Sequence, residues 1–218
     1  MVLGLFLLGC GWTGADQVVV IAPQELQEPL ADYVAFLERT DVTLAVAGER
    51  RCRRGGIELL LDEERGECYQ IRQDGRCLQV EGGLLGVQYG LSDVLEQAGM
   101  GFFHPHAVHG PEELVLPGPG EGDWQCPETA RRGIHLHTLH PIEGYFSSWE
   151  PDGGTEEMRR IGDWIIKNRG NHLQWVGLDS MPGNWEEDTR AIVDALHSRG
   201  LTAGLGVQLF SEANLQLA

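Results

Sequence analysis

Lysine is almost missing from this chain of 218 residues: Lys167 is the only one, against fifteen arginines. Basic charge is scarce altogether, with 16 Lys and Arg facing 33 Asp and Glu for a net of −17. A field of that sign repels phosphate backbones and anionic bilayer surfaces, so nucleic acid is not an expected partner. Neutral or weakly charged substrates remain open, and sugars are of that kind. Long apolar runs are missing too. The stretch Met1–Cys10 is apolar but too short to span a bilayer, so no membrane span is expected. No CxxC spacing suggests zinc, and no GxGxxG or P-loop follows any strand-like segment, which leaves nucleotide-binding folds without support. What the chain does have is 42% hydrophobic residues, enough for a packed core.

Within the apolar start, Leu7-Leu8-Gly9-Cys10 resembles the box at which bacterial lipoprotein signals are cut, although no Lys or Arg precedes it. On this reading residues 1–16 are a leader, Cys10 is the site of a lipid anchor, and the protein is extracytoplasmic, periplasmic or at the cell surface. The other cysteines are Cys52, Cys68, Cys77 and Cys126. If Asp74-Gly75 forms a two-residue hairpin loop, Arg72 faces Cys77 and Cys68 faces Glu81. The sulfurs of Cys68 and Cys77 would then lie roughly 13 Å apart, too far to bond. Free, partly buried thiols are therefore expected.

Hydrophobic periodicity predicts a strand at 18–21, a helix opening at Pro29 with Leu30, Tyr33, Val34 and Leu37 on one face, and strands at 42–47 and 57–61. The basic cluster around Arg50-Arg51-Cys52-Arg53-Arg54 reads as a solvated loop. A hairpin over 69–80 and an amphipathic helix over 84–98, ended by Gly99, complete an α+β domain at 17–117. Residues 118–130 are rich in Pro and Gly and read as a linker. From 131 onward strands alternate with helices: a strand at 133–140, a helix from Thr155 to about Asn168, a strand at 172–179, a helix opening near Asn184 and ended by Gly200, and a strand at 201–210. Parallel strands with helical crossovers suit either a barrel or an open doubly wound sheet.

Three motifs carry a family resemblance. Tyr89 to Pro105, with Gly99-Met100-Gly101-Phe102-Phe103-His104-Pro105 at its end, resembles the close of the accessory domain that precedes the catalytic barrel in family 20 β-hexosaminidases and in α-glucuronidases. Arg132-Gly133-Ile134-His135-Leu136 resembles the opening of their first barrel strand. Asn171 to Asp179, with Trp175 inside it, resembles the second. The resemblance implies a glycoside hydrolase whose α/β part, 131–218, is a partial TIM (β/α) barrel of about three βα repeats, with carbohydrate as substrate and no cofactor. It also implies that Arg132 and Asp179 contact sugar hydroxyls; an ion pair at the barrel rim is the other role open to Arg132, and a loop cap the other role for Asp179. Departures are plain. The third strand region, Leu205 to Phe210, has neither a Glu-x-Asp nor a Pro-Gly-His turn, so a sister family is a better fit than a strict hexosaminidase. Such a barrel needs about 250 residues, so the chain reads as a fragment whose catalytic carboxylates lie outside it.

Chemistry around the first barrel strand adds candidates. His135 and His137 share one strand face and His140 lies beyond on the opposite parity. A His-x-His on a first strand also resembles zinc amidohydrolases, which gives an alternative with His135 and His137 as ligands; the preferred reading has no metal, with His137 and His140 touching substrate. In the loop that follows, Glu143 and Glu150 can accept from hydroxyls and Trp149 can stack on a sugar ring, though a solvated loop with one packed tryptophan competes. A non-catalytic carbohydrate-binding protein is the remaining alternative.

Overall fold

A computed structural model describes residues 17–48, 52, 55–75, 77–118, 122–136, 154–176 and 185–206. The chain first lays down β1 (Val18–Ala22), α1 (Gln27–Ala35), β2 (Val42–Val46), β3 (Gly56–Leu61), β4 (Tyr69–Asp74), β5 (Cys77–Gly82) and α2 (Leu84–Gln97). The five strands form one sheet in the order β2-β1-β3-β5-β4. β1 runs parallel to β2 and β3, and β3 parallel to β5; β4 alone is antiparallel. An uninterrupted apolar β1 suits its inner place in that sheet, since both of its faces are covered. β4 buries Tyr69, Gln70 and Ile71 and leaves Arg72, Gln73 and Asp74 exposed, as an edge strand does. The α+β expectation holds in part: the sheet is a mixed α/β layer in which three of four ladders are parallel.

Helix α2 turns ten buried residues inward, among them Tyr89 and Leu91, and a hydrogen bond of 2.9 Å joins its Ser92 to Tyr33 of α1. A Cβ at Gly90 would run into Val80 and the Tyr69 ring, so that glycine lets α2 lie close on β4 and β5. A short hairpin follows, β6 (Gly101–His104) and β7 (Ala107–His109), with a bulge between Phe102 and His104. Then come β8 (Gly133–Leu136), α3 (Gly154–Lys167), β9 (His172–Val176), α4 (Trp185–His197) and β10 (Thr202–Gly206). These strands pair in parallel in the order β10-β9-β8. α3 packs on α4 and β9, α4 on β10, and α3 also meets α1 and α2. Sheet, helices, helices and sheet therefore stack around one continuous apolar core. No closed barrel is seen among the described residues; in place of the expected partial TIM barrel they form a small parallel three-stranded sheet with its helices.

Three expectations need correction. Helix α1 opens at Gln27, after a 3-10 turn at Gln24–Leu26, so Pro29 sits inside its first turn. The hairpin pairs Asp74 with Cys77, so the register is shifted by two from the expected one; Gly75, next after Asp74, takes a positive φ of 58°. Finally, the four cysteines expected to be free are joined as Cys52–Cys77 and Cys68–Cys126. Distance along the hairpin rules out only the Cys68–Cys77 pair. Each true partner comes from elsewhere in the fold. Cys52 precedes β3, whose Gly56 is in register with Cys77, and Cys126 follows Gln125, which bridges Tyr69 in antiparallel fashion.

Candidate functional site

The three-stranded sheet has two unlike faces, and strand alternation dictates both. Ile134, Leu136, Leu173, Trp175, Ala203 and Leu205 turn toward α3 and α4 and belong to the core. His135, His172, Gln174 and Thr202 take the opposite face, on which none of these helices packs. There His172 Nδ1 lies 2.8 Å from Thr202 Oγ1, and the register sets His135 beside Gln174. The strands end together at Leu136, Val176 and Gly206, so the segments that follow all start at one edge of the sheet. His137, His140, Glu143 and Trp149 follow β8 in the chain, and Asp179 follows β9; all five lie outside the described residues. His137 of the zinc alternative does too. Among the described residues no cluster of three or more His, Cys, Asp or Glu is placed to hold a metal.

Arg132 lies at the other end of β8, directly before Gly133, where the two layers meet. Its Nε donates to the Arg169 carbonyl at 2.7 Å, Nη1 to the Thr129 carbonyl, and Nη2 to Glu67 and, at 3.2 Å, to the Tyr89 hydroxyl. Four donor directions of its five are thereby engaged within the protein. Arg132 forms an ion pair with Glu67 of the first layer. Asn171 completes the node. Its Oδ1 accepts from the Arg132 backbone N–H at 2.8 Å, while Nδ2 donates to Glu67 at 2.8 Å and to the Ala130 carbonyl at 2.7 Å. The Tyr89 hydroxyl donates to the Gly170 carbonyl at 2.8 Å. Burial pushes the Tyr89 phenol well up, and the Glu67 charge pushes it further, so it stays a neutral donor. Glu67 thus holds the starts of β8 and β9 at once. Sequence reasoning did not single it out, because nothing in its local pattern marks a carboxylate whose partners come from far along the chain.

A second seam joins the layers through α1 and α3. Asp32 forms ion pairs with Arg159 and Arg199, and the Arg199 side chain is 2% exposed. The Gln88 side-chain amide donates to the Arg199 carbonyl at 2.9 Å. Lys167 donates to the Tyr33 carbonyl at 3.2 Å, and the indole of Trp164 to the Phe102 carbonyl at 2.8 Å. Gln88, Arg199, Lys167 and Tyr33 are buried, and these contacts fix how the three-stranded sheet sits on the first layer.

The fold defined by these observations is a small α/β layer followed by a three-stranded parallel α/β unit whose helices share one face. No protein-family model and no curated protein matches the sequence. Solved structures do match. An N-acetyl-β-hexosaminidase from Streptomyces plicatus, in complex with Thio-NAglucal, aligns over 96% of this chain and 45% of its own, with TM-score 0.61 and 14% identity. The GH20 β-N-acetylhexosaminidase from Streptomyces coelicolor A3(2) aligns over 94% and 44%, with TM-score 0.56 and 14% identity. A GH138 enzyme targeting pectin rhamnogalacturonan II aligns over 92% and 25%, with TM-score 0.55 and 15% identity. The chain is thus a distant structural relative of glycoside hydrolases and spans between a quarter and under half of their lengths. At such identities the fold is what is shared. The two disulfides, for their part, point to an oxidising, extracytoplasmic setting.

Proposed function

We propose that the chain is the front of a glycoside hydrolase: an accessory domain at 17–117, a linker at 118–130, and from 131 the first βα repeats of a (β/α)8 catalytic barrel. The observation that carries this reading is the single winding of β8, β9 and β10. In a doubly wound sheet helices cover both faces; here α3 and α4 share one face, and the other carries His135, His172, Gln174 and Thr202. The structural likeness to GH20 and GH138 enzymes agrees with it. In such barrels sites are built at the C-terminal ends of the strands. The saccharide site is accordingly assigned to the segments after β8 and β9, with His137, His140, Glu143 and Asp179 binding hydroxyls and Trp149 stacking on a ring. The catalytic acid and base are assigned to later strands, and Cys10 to a lipid anchor. Arg132 enters this reading as a residue that sets the barrel opening.

Ligand-observed NMR of the chain with a panel of neutral mono- and oligosaccharides tests the binding, and chromogenic aryl glycosides offered to the product of the whole reading frame test the chemistry. Saccharide binding that weakens roughly tenfold in Asp179→Asn and in Trp149→Ala is expected. Binding unchanged by both substitutions overturns the site, and neither binding nor hydrolysis overturns the function. Binding without hydrolysis by the whole product favours a carbohydrate-binding protein.

A further inference from the structure

The two disulfides meet solvent differently. Cys77 is 5% exposed and sits between β3 and β4 in the sheet, so the Cys52–Cys77 bond is shielded from that side. Cys126 is exposed and Cys68 half-buried, so an attacking thiolate can reach the Cys68–Cys126 bond.

They also differ in what they hold. Cys68–Cys126 closes a span of 58 residues and fastens the linker to the start of β4. Beside it Tyr69 and Gln125 exchange two backbone hydrogen bonds of 2.9 and 2.7 Å, and the Tyr69 hydroxyl donates to the Gln125 side chain at 2.9 Å. The residue just before Cys68 is Glu67, the carboxylate that grips Arg132 and Asn171. A Cβ at Gly82 or Gly86 would run into the Cys68 carbonyl, and one at Gly83 into the Gly66 backbone. The segment 66–69 is therefore pressed against the start of α2 on one side and tied to the linker by the disulfide on the other. That confinement aims Glu67 at the junction.

We infer that Cys68–Cys126 is a redox site for a dithiol reductant, and that its state sets how firmly Glu67 holds the starts of β8 and β9. One thiolate of the dithiol attacks Cys126 Sγ, the protein S–S bond breaks, and Cys68 departs as a thiolate that takes up a proton. The second thiol of the reductant then resolves the mixed disulfide and releases Cys126 as a thiol. Two electrons pass to the protein, which gains two thiols, and the dithiol ends as a disulfide. With the bond open, the linker beside Cys126 is held by noncovalent contacts, the hydrogen bonds to Tyr69 and the Arg65 guanidinium over the Trp124 ring among them, and the Glu67–Arg132–Asn171 node loosens. Oxidation closes the clasp and locks the parallel sheet onto the first layer.

The test is a dithiothreitol titration of the whole chain, with thiol trapping by a maleimide, mass-spectrometric mapping, and hydrogen exchange on the same samples. Cys68 and Cys126 are expected to label at dithiol concentrations about tenfold below those that open Cys52–Cys77, with exchange over 129–136 and 170–176 rising about tenfold while β1 and β3 stay protected. The double variant Cys68→Ser/Cys126→Ser should show the raised exchange without reductant, and Cys52→Ser/Cys77→Ser should respond as the wild type does. Opening of Cys52–Cys77 first or at the same concentration overturns the inference. So does reduction of Cys68–Cys126 that leaves exchange at the junction unchanged, or that raises it throughout the chain.

Discussion

Lys167 Nζ lies 2.5 Å from the Asp163 carboxylate one turn earlier on α3, and the two side chains are only 2% and 4% exposed. The same ammonium sits 4.4 Å from the centre of the Tyr33 ring and 5.5 Å from that of Phe102. Burial drives the Lys167 pKa down and the Asp163 pKa up, and each partner's charge pulls the other back toward ionisation. The chain's sole lysine is therefore a core residue at the meeting of α1, α3 and β6. Replacing it alone, as Lys167→Met, leaves a buried carboxylate without its partner and should cost about 3–5 kcal/mol in urea unfolding. The double variant Lys167→Met/Asp163→Leu should recover most of that loss, since two apolar groups of similar size avoid desolvating a charge. Equal losses in the single and double variants would show that the ion pair is not what the site depends on.

Much of the fold was legible because strong periodicity is local. The alternation of helices and strands after the linker and the stripe on α2 followed from spacing alone, with ends displaced by a few residues. The hairpin is legible in the sequence but its register is not, because Asp74 still pairs with Cys77 where Asp74-Gly75 reads as the loop. Disulfide partners were invisible for a related reason: Cys68 meets Cys126 only after the linker folds back along β4. The bulged hairpin β6–β7 leaves no mark in the periodicity, since a run of four residues carries no period. At the candidate site the motifs located β8 and β9. The partner of Arg132 is Glu67, 65 residues earlier, which no motif could announce.

Asp32 supports the adjoining part of the seam. Its carboxylate pairs with Arg159, which is partly exposed, and with Arg199, which is not. Removing it as Asp32→Ala strands the Arg199 charge in the interior, whereas Arg159→Ala removes only a partner that water can replace. The first change should cost about 3–5 kcal/mol and the second under about 1 kcal/mol. Chemical denaturation of both variants measures the difference. Similar small losses would mean that Arg199 finds another counter-charge.

Gly86 lies within the first turn of α2, where alanine would ordinarily gain about 1 kcal/mol over glycine. Here a Cβ collides with the Cys68 backbone carbonyl, which the disulfide and the Tyr69–Gln125 bridge keep from yielding. Overpacking against fixed backbone outweighs propensity, and Gly86→Ala should destabilise by about 2 kcal/mol net. Thermal unfolding under oxidising conditions checks the sign. A stabilised variant would show that segment 66–69 has room to move.

Acid should weaken the corner where α1 leads into β2. Arg39 Nε donates to Asp41 at 2.7 Å and Nη1 to the Pro111 carbonyl at 2.7 Å, while the Asp41 backbone carbonyl accepts from the Val18 N–H. The hydrogen bond from Arg39 holds the Asp41 carboxyl below its usual range, against the opposing effect of burial. A carboxylate depressed in the folded state stabilises fully above its unfolded value, near pH 4, and loses that contribution as pH falls through the folded value. Asp41→Asn should therefore lower the melting temperature at neutral pH, and the gap to the wild type should close as pH falls through the depressed folded value. The carboxylate is 30% exposed, so solvent screening keeps the gap to a few degrees at most, near the size found for partly exposed ion pairs. A gap that persists unchanged to the lowest pH would assign the effect to lost packing, because an uncharged contact has no reason to follow the proton.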